Sequence, residues 1–193
     1  MSSDRLKAFS DGVIAILITI MVLELRPPEG STLSALEDLV PVFWTYVLSF
    51  VFIAIYWNNH HHLLAVVERI DGAVLWANMH LLLWLSFTPF VTAWMGEHPR
   101  QATPVSVYGV VLFGSGVAYF ILVRALLHIH DVGSTLAQAI GTDRKGVLSM
   151  LAYLAAIPLS IVEPMAGIAL YIVVAVVWLV PDRRITRALG GAS

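Results

Sequence analysis

The 193-residue chain has no cysteine, which excludes disulfides, thiol catalysis and metal sites built from cysteine thiolates. Charge is scarce as well. Asp, Glu, Lys and Arg make up 12% of the chain, whereas an average soluble domain carries about 25%. So few charges cannot cover the surface of a water-soluble domain. A net charge of −2 also gives no basis for nucleic-acid binding.

Apolar residues make up 59% of the chain, and its mean hydropathy is +0.83. A helix that crosses a bilayer needs about 20 mainly apolar residues. The apolar runs predict an all-α membrane protein, a single domain over residues 1–193 with no cofactor. The six predicted spans are 8–25, 39–57, 73–95, 105–127, 147–162 and 165–180.

Flanking residues and run length decide how the first and last of these runs are assigned. The first run is followed by Arg26 and two prolines rather than by a small-residue cleavage site, so it is predicted to be retained as a span. The run from 147 to 180 would be about 51 Å long as one helix, too long for one crossing. Glu163 and Pro164 are predicted to divide it, and Pro89 is predicted to kink the third span.

The distribution of basic residues predicts the orientation, because cytoplasmic loops are enriched in Lys and Arg. Six spans with both termini in the cytoplasm leave only Arg26 and Arg100 on the outer side. The cytoplasmic segments then hold Arg5, Lys7, Arg69, Arg124, Arg144, Lys145, Arg183, Arg184 and Arg187. This bias predicts a multi-pass protein of the cell membrane with cytoplasmic termini.

The first helix contains Asp11, and an ionisable residue in or beside a span is costly enough to mark a functional region. On a helical wheel with Ile16 at zero, four further residues fall within about 60° of it, whereas Asp11 lies about 140° away. These four are Phe9, Thr19, Ile20 and Leu23. We refer to Phe9, Ile16, Thr19, Ile20 and Leu23 as the apolar stripe.

The wheel separates the two faces without choosing between their roles. The apolar stripe could line a pathway while Asp11 holds the helix to its neighbours, or the roles could be reversed. The stripe could also be ordinary core or lipid contact. Asp11 could equally be a helix-end cap or the ion-pair partner of Arg5 or Lys7, since a carboxylate is favoured near a helix N-terminus.

The same helix carries the pattern Arg5-x-x-x-Phe9-Ser10-Asp11-Gly12, with Ala15-Ile16 and Thr19 after it. This pattern resembles the first-helix signature of the prokaryotic relatives of the lysosomal potassium channel, the transmembrane protein 175 family. Residues 56–62 resemble the end of the second helix of that family, and residues 78–92 resemble its third helix.

The resemblance implies a potassium-permeable cation channel in the bilayer, built as a homotetramer of six-span subunits. The pore then lies between subunits and is lined by the first helix, without a carbonyl selectivity filter. By the resemblance, Ile16, Ile20 and Leu23 form the constriction and Thr19 takes part in selectivity. Arg5, Phe9, Ser10 and Asp11 form a polar network that holds the helix. Glu24 is predicted to concentrate cations at the outer mouth.

A transporter and an enzyme are the alternative functions. A proton- or cation-coupled secondary transporter would use Asp11, His80 and Glu24, but such transporters usually contain repeats, and none is visible. An enzyme using His60, His61 and His62 is disfavoured, because the cluster lacks a nucleophile–base or metal-ligand spacing. Three consecutive helical residues point in different directions and cannot all bind one metal ion. We expect no enzyme and no metal site. One of these histidines is expected to join the Asp11 network, and His80 to be a hydrogen-bonded packing residue.

Overall fold

The computed structural model describes residues 3–28, 30–67, 69–130, 134–140 and 143–179, and these residues form helices with no strands. The α-helices are α1 (Ser3–Leu23), α2 (Val40–Ala65), α3 (Gly72–Ser86), α4 (Thr88–Glu97), α5 (Ala102–His128), α6 (Thr135–Ile140), α7 (Arg144–Val162) and α8 (Pro164–Leu179). A 3₁₀-helix, Leu33–Leu39, leads directly into α2.

Within the described residues, five helical segments are long and apolar enough to cross a membrane: α1, the 3₁₀-helix with α2, α3 with α4, α5, and α7. The sixth apolar helix, α8, has 16 residues and is therefore about 24 Å long. The described residues thus form six apolar helical segments, of which α8 is the shortest, and the protein is an all-helical membrane protein.

The helix bounds differ from the predicted spans mainly at the predicted cytoplasmic ends. α1 begins at Ser3 rather than near residue 8, because Leu6 already packs into the core at 2% exposure. α2 continues to Ala65 rather than ending at Trp57. The extension places His60, His61 and His62 on the helix itself, with His60 buried against neighbouring helices.

The third predicted span is interrupted at a single residue and continues as one helical segment of 26 residues, Gly72–Glu97. α3 ends at Ser86 and α4 begins at Thr88, with Pro89 in the first turn of α4. Proline has no backbone N–H and its ring crowds the carbonyl four residues earlier, so a helix tends to end before it. Phe87 itself keeps helical dihedral angles, φ −79° and ψ −14°, so the interruption upstream of the proline is a local distortion of a continuing helix.

The predicted division of the last apolar run coincides with a change of backbone conformation. Glu163 is extended, with φ −143° and ψ 96°, and α8 starts at Pro164. Residue 180, the predicted end of the sixth span, lies outside the described residues, as do Arg183, Arg184 and Arg187. The orientation predicted in part from those three arginines remains a prediction.

α5 is the central packing helix, in contact with α3, α4, α7 and α8. Glycine makes two of these approaches possible. A Cβ atom at Gly109 would collide with the hydroxyl of Tyr171 on α8, and one at Gly114 would collide with the indole of Trp84 on α3. α1 instead packs mainly against α2, α3 and α4. The subunit thus joins α1 to the α2–α4 part of the bundle and the α7–α8 pair to α5.

Candidate pore helix and its anchors

α1 has one buried face. Five side chains on this face are less than 9% exposed, and they lie within about 80° of arc on the helical wheel. They are Leu6, Ser10, Ile14, Leu17 and Met21. Four of them are apolar and pack among residues of α2, α3 and α5. Ser10 is the exception, a hydroxyl with no exposed surface in the middle of an apolar face.

Ser10 is joined to two other helices by a buried chain of hydrogen bonds. The side-chain amide of Asn78 on α3 donates to Ser10 Oγ at 3.0 Å. Asn78 Oδ1 lies 2.7 Å from Nε2 of His60 on α2. Because the amide nitrogen already donates to Ser10, the amide oxygen must accept, so His60 carries its proton on Nε2.

This triad of Ser10, Asn78 and His60 is fully enclosed, with exposures of 0%, 0% and 1%. A buried polar group without a partner costs about 1–3 kcal/mol, more than the net gain from a single hydrogen bond. Each member therefore depends on the others being in place. The triad fixes the rotation of α1, because only one helix face can present Ser10 to Asn78.

Asp11 is anchored separately, at the edge of the buried face. Its Oδ1 accepts a hydrogen bond of 2.9 Å from Nε1 of Trp57 on α2. The Trp57 ring in turn lies against His61, with ring centroids 5.6 Å apart. Asp11 is in the third turn of α1, so it is not a helix cap, and Lys7 pairs with Asp4 at 3.8 Å instead.

The apolar stripe lies on a different, uncovered face of α1. Within the subunit Ile16 is 57% exposed, Ile20 is 41% exposed and Leu23 is 76% exposed. Phe9 is half exposed, and Thr19 is exposed as well. The stripe is therefore not part of the core of the subunit, which removes one of the interpretations that the wheel left open.

Thr19 is oriented by its own helix. Its hydroxyl donates to the carbonyl oxygen of Ile16 at 2.9 Å. With the hydroxyl proton committed to the backbone, the oxygen lone pairs are left to accept from, or coordinate, a group beyond the exposed face. The threonine thus presents an oxygen ligand within an otherwise apolar stripe.

The remaining predicted site residues lie at the two ends of α1. Arg5 is exposed near its start, away from the triad. Glu24 is exposed in the turn after Leu23, two residues before Arg26, so an opposite charge is close in the sequence. The structure therefore brings Ser10 and Asp11 to the helix contacts and leaves Arg5 and Phe9 on the surface of the subunit.

Two anchoring residues, Asn78 and Trp57, were not predicted from the sequence as anchors, although both lie in segments that resemble the family. Both side chains carry N–H donors within apolar segments, and a donor in such a segment indicates a hydrogen-bond partner on a neighbouring helix. His60 is the histidine that joins the anchors, but it reaches α1 through Asn78 and Ser10 rather than through Asp11. His80 accepts from Trp84 Nε1 at 3.0 Å, as expected of a hydrogen-bonded packing residue.

The fold and this helix define an all-helical, multi-pass membrane protein. A family model described as endosomal/lysosomal potassium channel TMEM175 matches residues 5–89, a range that contains the triad, Asp11 and the apolar stripe. A protein named potassium channel from Chryseobacterium sp. (strain P1-3) is 45% identical over 189 residues, which cover 98% of each chain.

A solved structure agrees. The crystal structure of a lysosomal potassium-selective channel TMEM175 homologue from Chamaesiphon minutus is 30% identical, with a TM-score of 0.78. The match covers 92% of this chain and 96% of that one. The human endosomal/lysosomal proton channel TMEM175 is 24% identical over 131 residues, only 26% of its length. The chain belongs to the TMEM175 family, whose members are named as channels rather than enzymes.

Proposed function

We propose that this protein is a potassium-permeable cation channel, formed by four copies of the chain around a pore lined by α1. The observation that carries the proposal is the division of α1 into two faces. One face is locked into the subunit by apolar packing and the Ser10–Asn78–His60 triad, while the apolar stripe is left uncovered.

If the outward face of a helix contacts only lipid, the helix gains nothing from a fixed rotation, because all outward side chains are then in one environment. The triad enforces such a rotation at the cost of burying three polar side chains. A defined rotation is useful where the exposed face meets copies of itself at an axis. The relatives are named as potassium channels, and these names support potassium as the permeating ion.

In this arrangement Ile16, Ile20 and Leu23 narrow the pore at successive levels. Ile16 and Ile20 are one helical turn apart. The four Ile16 side chains therefore form one level of the pore and the four Ile20 side chains another, about 6 Å away along the axis, and Leu23 lies nearly one further turn outward. Rings of branched apolar side chains exclude water when they are close together, and such a constriction gates by dewetting.

Thr19 lies between the two isoleucine levels in sequence and supplies the oxygen ligands that the isoleucines lack. Four hydroxyl oxygens, each with its proton held by the carbonyl of residue 16, would partly replace the hydration shell of a potassium ion. Glu24 would add a ring of carboxylates at the outer mouth, where negative charge raises the local cation concentration. At the inner end, Ser10 and Asp11 hold the helix to its own subunit, and Arg5 and Phe9, which are exposed there, would complete the polar network against a neighbouring copy.

We further propose six spans with both termini in the cytoplasm and the cell membrane as the location. The positive-inside bias supports this orientation. It also places Glu24 outside and Asp11 towards the cytoplasmic end, consistent with their separate positions along α1.

The proposal is tested with full-length purified protein in planar bilayers. Asymmetric potassium and sodium solutions should give unitary currents that reverse near the potassium equilibrium potential. A second series with a pH gradient at constant potassium distinguishes potassium current from proton current, the ion in the names of the vertebrate relatives. Crosslinking in the membrane gives the subunit count.

Transport without unitary steps, at rates coupled to a counter-ion gradient, would favour the secondary transporter instead. Complete absence of current across voltage and pH, with the assembly shown to be intact, would contradict the channel. A reversal potential that follows the pH gradient alone would show that protons, not potassium, are conducted.

A further inference from the structure

A cavity of about 50 Å³ lies inside the subunit, away from α1, between α2, α5, α7 and α8. It lies towards the end of the bundle at which α2, α5 and α8 finish and α7 begins. Its inner wall is aromatic, with Phe52 and Tyr153 packed edge to face at a centroid distance of 6.1 Å. The space is too small for a second protein element.

Three tyrosines line this cavity: Tyr56, Tyr119 and Tyr153. Tyr56 and Tyr119 meet edge to face at 6.1 Å, and Tyr153 is 3% exposed. Among the residues that the structure describes, none of the three phenolic hydroxyls has a hydrogen-bond partner, although other buried tyrosines do: Tyr108 bonds Ser49 at 2.9 Å. These hydroxyls keep accessible surface, so each can donate to a polar group that enters from outside the chain.

Basic side chains cover two other rings of the same lining. Lys145 Nζ lies 4.7 Å from the centre of the Trp178 ring, and Arg124 Cζ lies 4.9 Å from the centre of the Phe120 ring. Trp178 is held in place by a 2.8 Å hydrogen bond from its Nε1 to Ser149. The cavity therefore combines an aromatic interior, phenolic donors and two cations beside its aromatic wall.

We propose that this cavity binds an anionic phospholipid. One acyl segment packs against the aromatic wall that Phe52 and Tyr153 form, the ester carbonyls accept hydrogen bonds from the tyrosine hydroxyls, and the phosphate is bound by Lys145 and Arg124. The order of groups in the lipid, apolar, then carbonyl, then phosphate, matches the order of side chains from the interior to the rim. Basic pockets between helices at one membrane face are typical lipid headgroup sites.

One acidic residue also lines the cavity. Asp143 caps α7, and its Oδ1 accepts from the backbone N–H of Gly146 at 2.9 Å. The positive end of the α7 dipole and the adjacent Arg144 offset this carboxylate. Its presence disfavours a small free anion, which would sit directly against it. A lipid places its phosphate further out and its neutral esters nearest to the carboxylate.

The test is a native mass spectrometry titration of the full-length protein with dioleoyl-phosphatidylglycerol, and in parallel with dioleoyl-phosphatidylcholine and oleic acid. Each basic residue near an anionic headgroup contributes about 1 kcal/mol, so the variant Arg124→Gln/Lys145→Gln should bind phosphatidylglycerol roughly 5- to 30-fold more weakly. Arg69→Gln removes an exposed positive charge at the same end, from the segment between α2 and α3, and should leave binding unchanged.

A second variant blocks the cavity without changing charge. A Cβ atom at Gly116 would lie 3.1 Å from Met150 Cγ and 3.8 Å from the Tyr56 hydroxyl, so Gly116→Val places its methyl groups in the cavity. It should abolish the tight lipid stoichiometry. Equal phosphatidylglycerol binding by all variants would show annular lipid only. Equal affinity for phosphatidylcholine, or tighter oleic acid binding, would also overturn the proposal, and none of these outcomes depends on ion conduction.

Discussion

The Ser10–Asn78–His60 triad is expected to fix the rotation of α1, and a substitution of Asn78 tests this most directly. Asn78 links His60 on α2 to Ser10 on α1. Leucine has the same branched shape as asparagine but neither donates nor accepts. Asn78→Leu therefore leaves both the His60 N–H, 2.7 Å from Asn78 Oδ1, and the Ser10 hydroxyl without their partner in a site with almost no exposed surface.

The expected loss follows from the two orphaned groups. At about 1–3 kcal/mol for each, the free energy of unfolding should fall by roughly 2–6 kcal/mol. For a chain of this size 1 kcal/mol corresponds to about 2–4 °C, so the midpoint of thermal unfolding should fall by roughly 5–20 °C. Tryptophan fluorescence of the purified protein during heating gives this midpoint.

Asn58→Leu is the matched control, because Asn58 is exposed on α2 close to the same level. Ser10→Ala should cost only about 1–3 kcal/mol, since it orphans the Asn78 amide alone. The double variant Ser10→Ala/Asn78→Leu should cost less than the sum, because the two residues share one interaction. Additive losses in the free energy of unfolding, or an Asn78 variant no less stable than the Asn58 control, would contradict the role of the triad in fixing the rotation of α1.

Three further predictions concern the pore and the packing. Ile16→Ala should raise unitary conductance by widening the proposed constriction, whereas Val22→Ala, on the same helix but off the apolar stripe, should not. Thr19→Val should lower the ratio of potassium to sodium permeability, measured from reversal potentials, and Thr19→Ser should retain it. Gly114→Val should lower stability by about 1–3 kcal/mol through collision with an indole ring, while Gly72→Ala, with no atom within 4 Å, should be neutral by thermal unfolding.

Much of the fold follows from hydropathy alone. The six apolar segments and the break after Glu163 could be predicted because apolar run length and proline act locally. The ends of the helices could not be predicted in this way. The extension of α2 to Ala65 depends on His60, Leu63 and Leu64 packing against other helices, and such contacts are not encoded in the local pattern.

In the candidate site too, features of α1 alone could be predicted from the sequence, and contacts with residues far along the chain could not. A helical wheel requires only the sequence of α1, so the apolar stripe and the face bearing Asp11 could be separated from sequence. Which face is buried depends on residues elsewhere in the chain, and these include Asn78, 68 positions after Ser10. The aspartate stands out in the sequence as the costly polar residue, yet the fully enclosed one is its neighbour Ser10.

The uncovered face of α1 differs from that of α7 and α8 in a way that bears on assembly. α7 and α8 pack on α5, and their outward side chains, among them Leu151, Ile161 and Val173, are large and apolar. Such a surface suits lipid tails. The uncovered face of α1 also carries Gly12, where an added Cβ would meet no atom within 4 Å, and the oriented hydroxyl of Thr19. Contact with lipid requires neither feature. The proposed axis shared by copies of α1 would use both, since glycine permits close approach and threonine would offer oxygen to a passing ion.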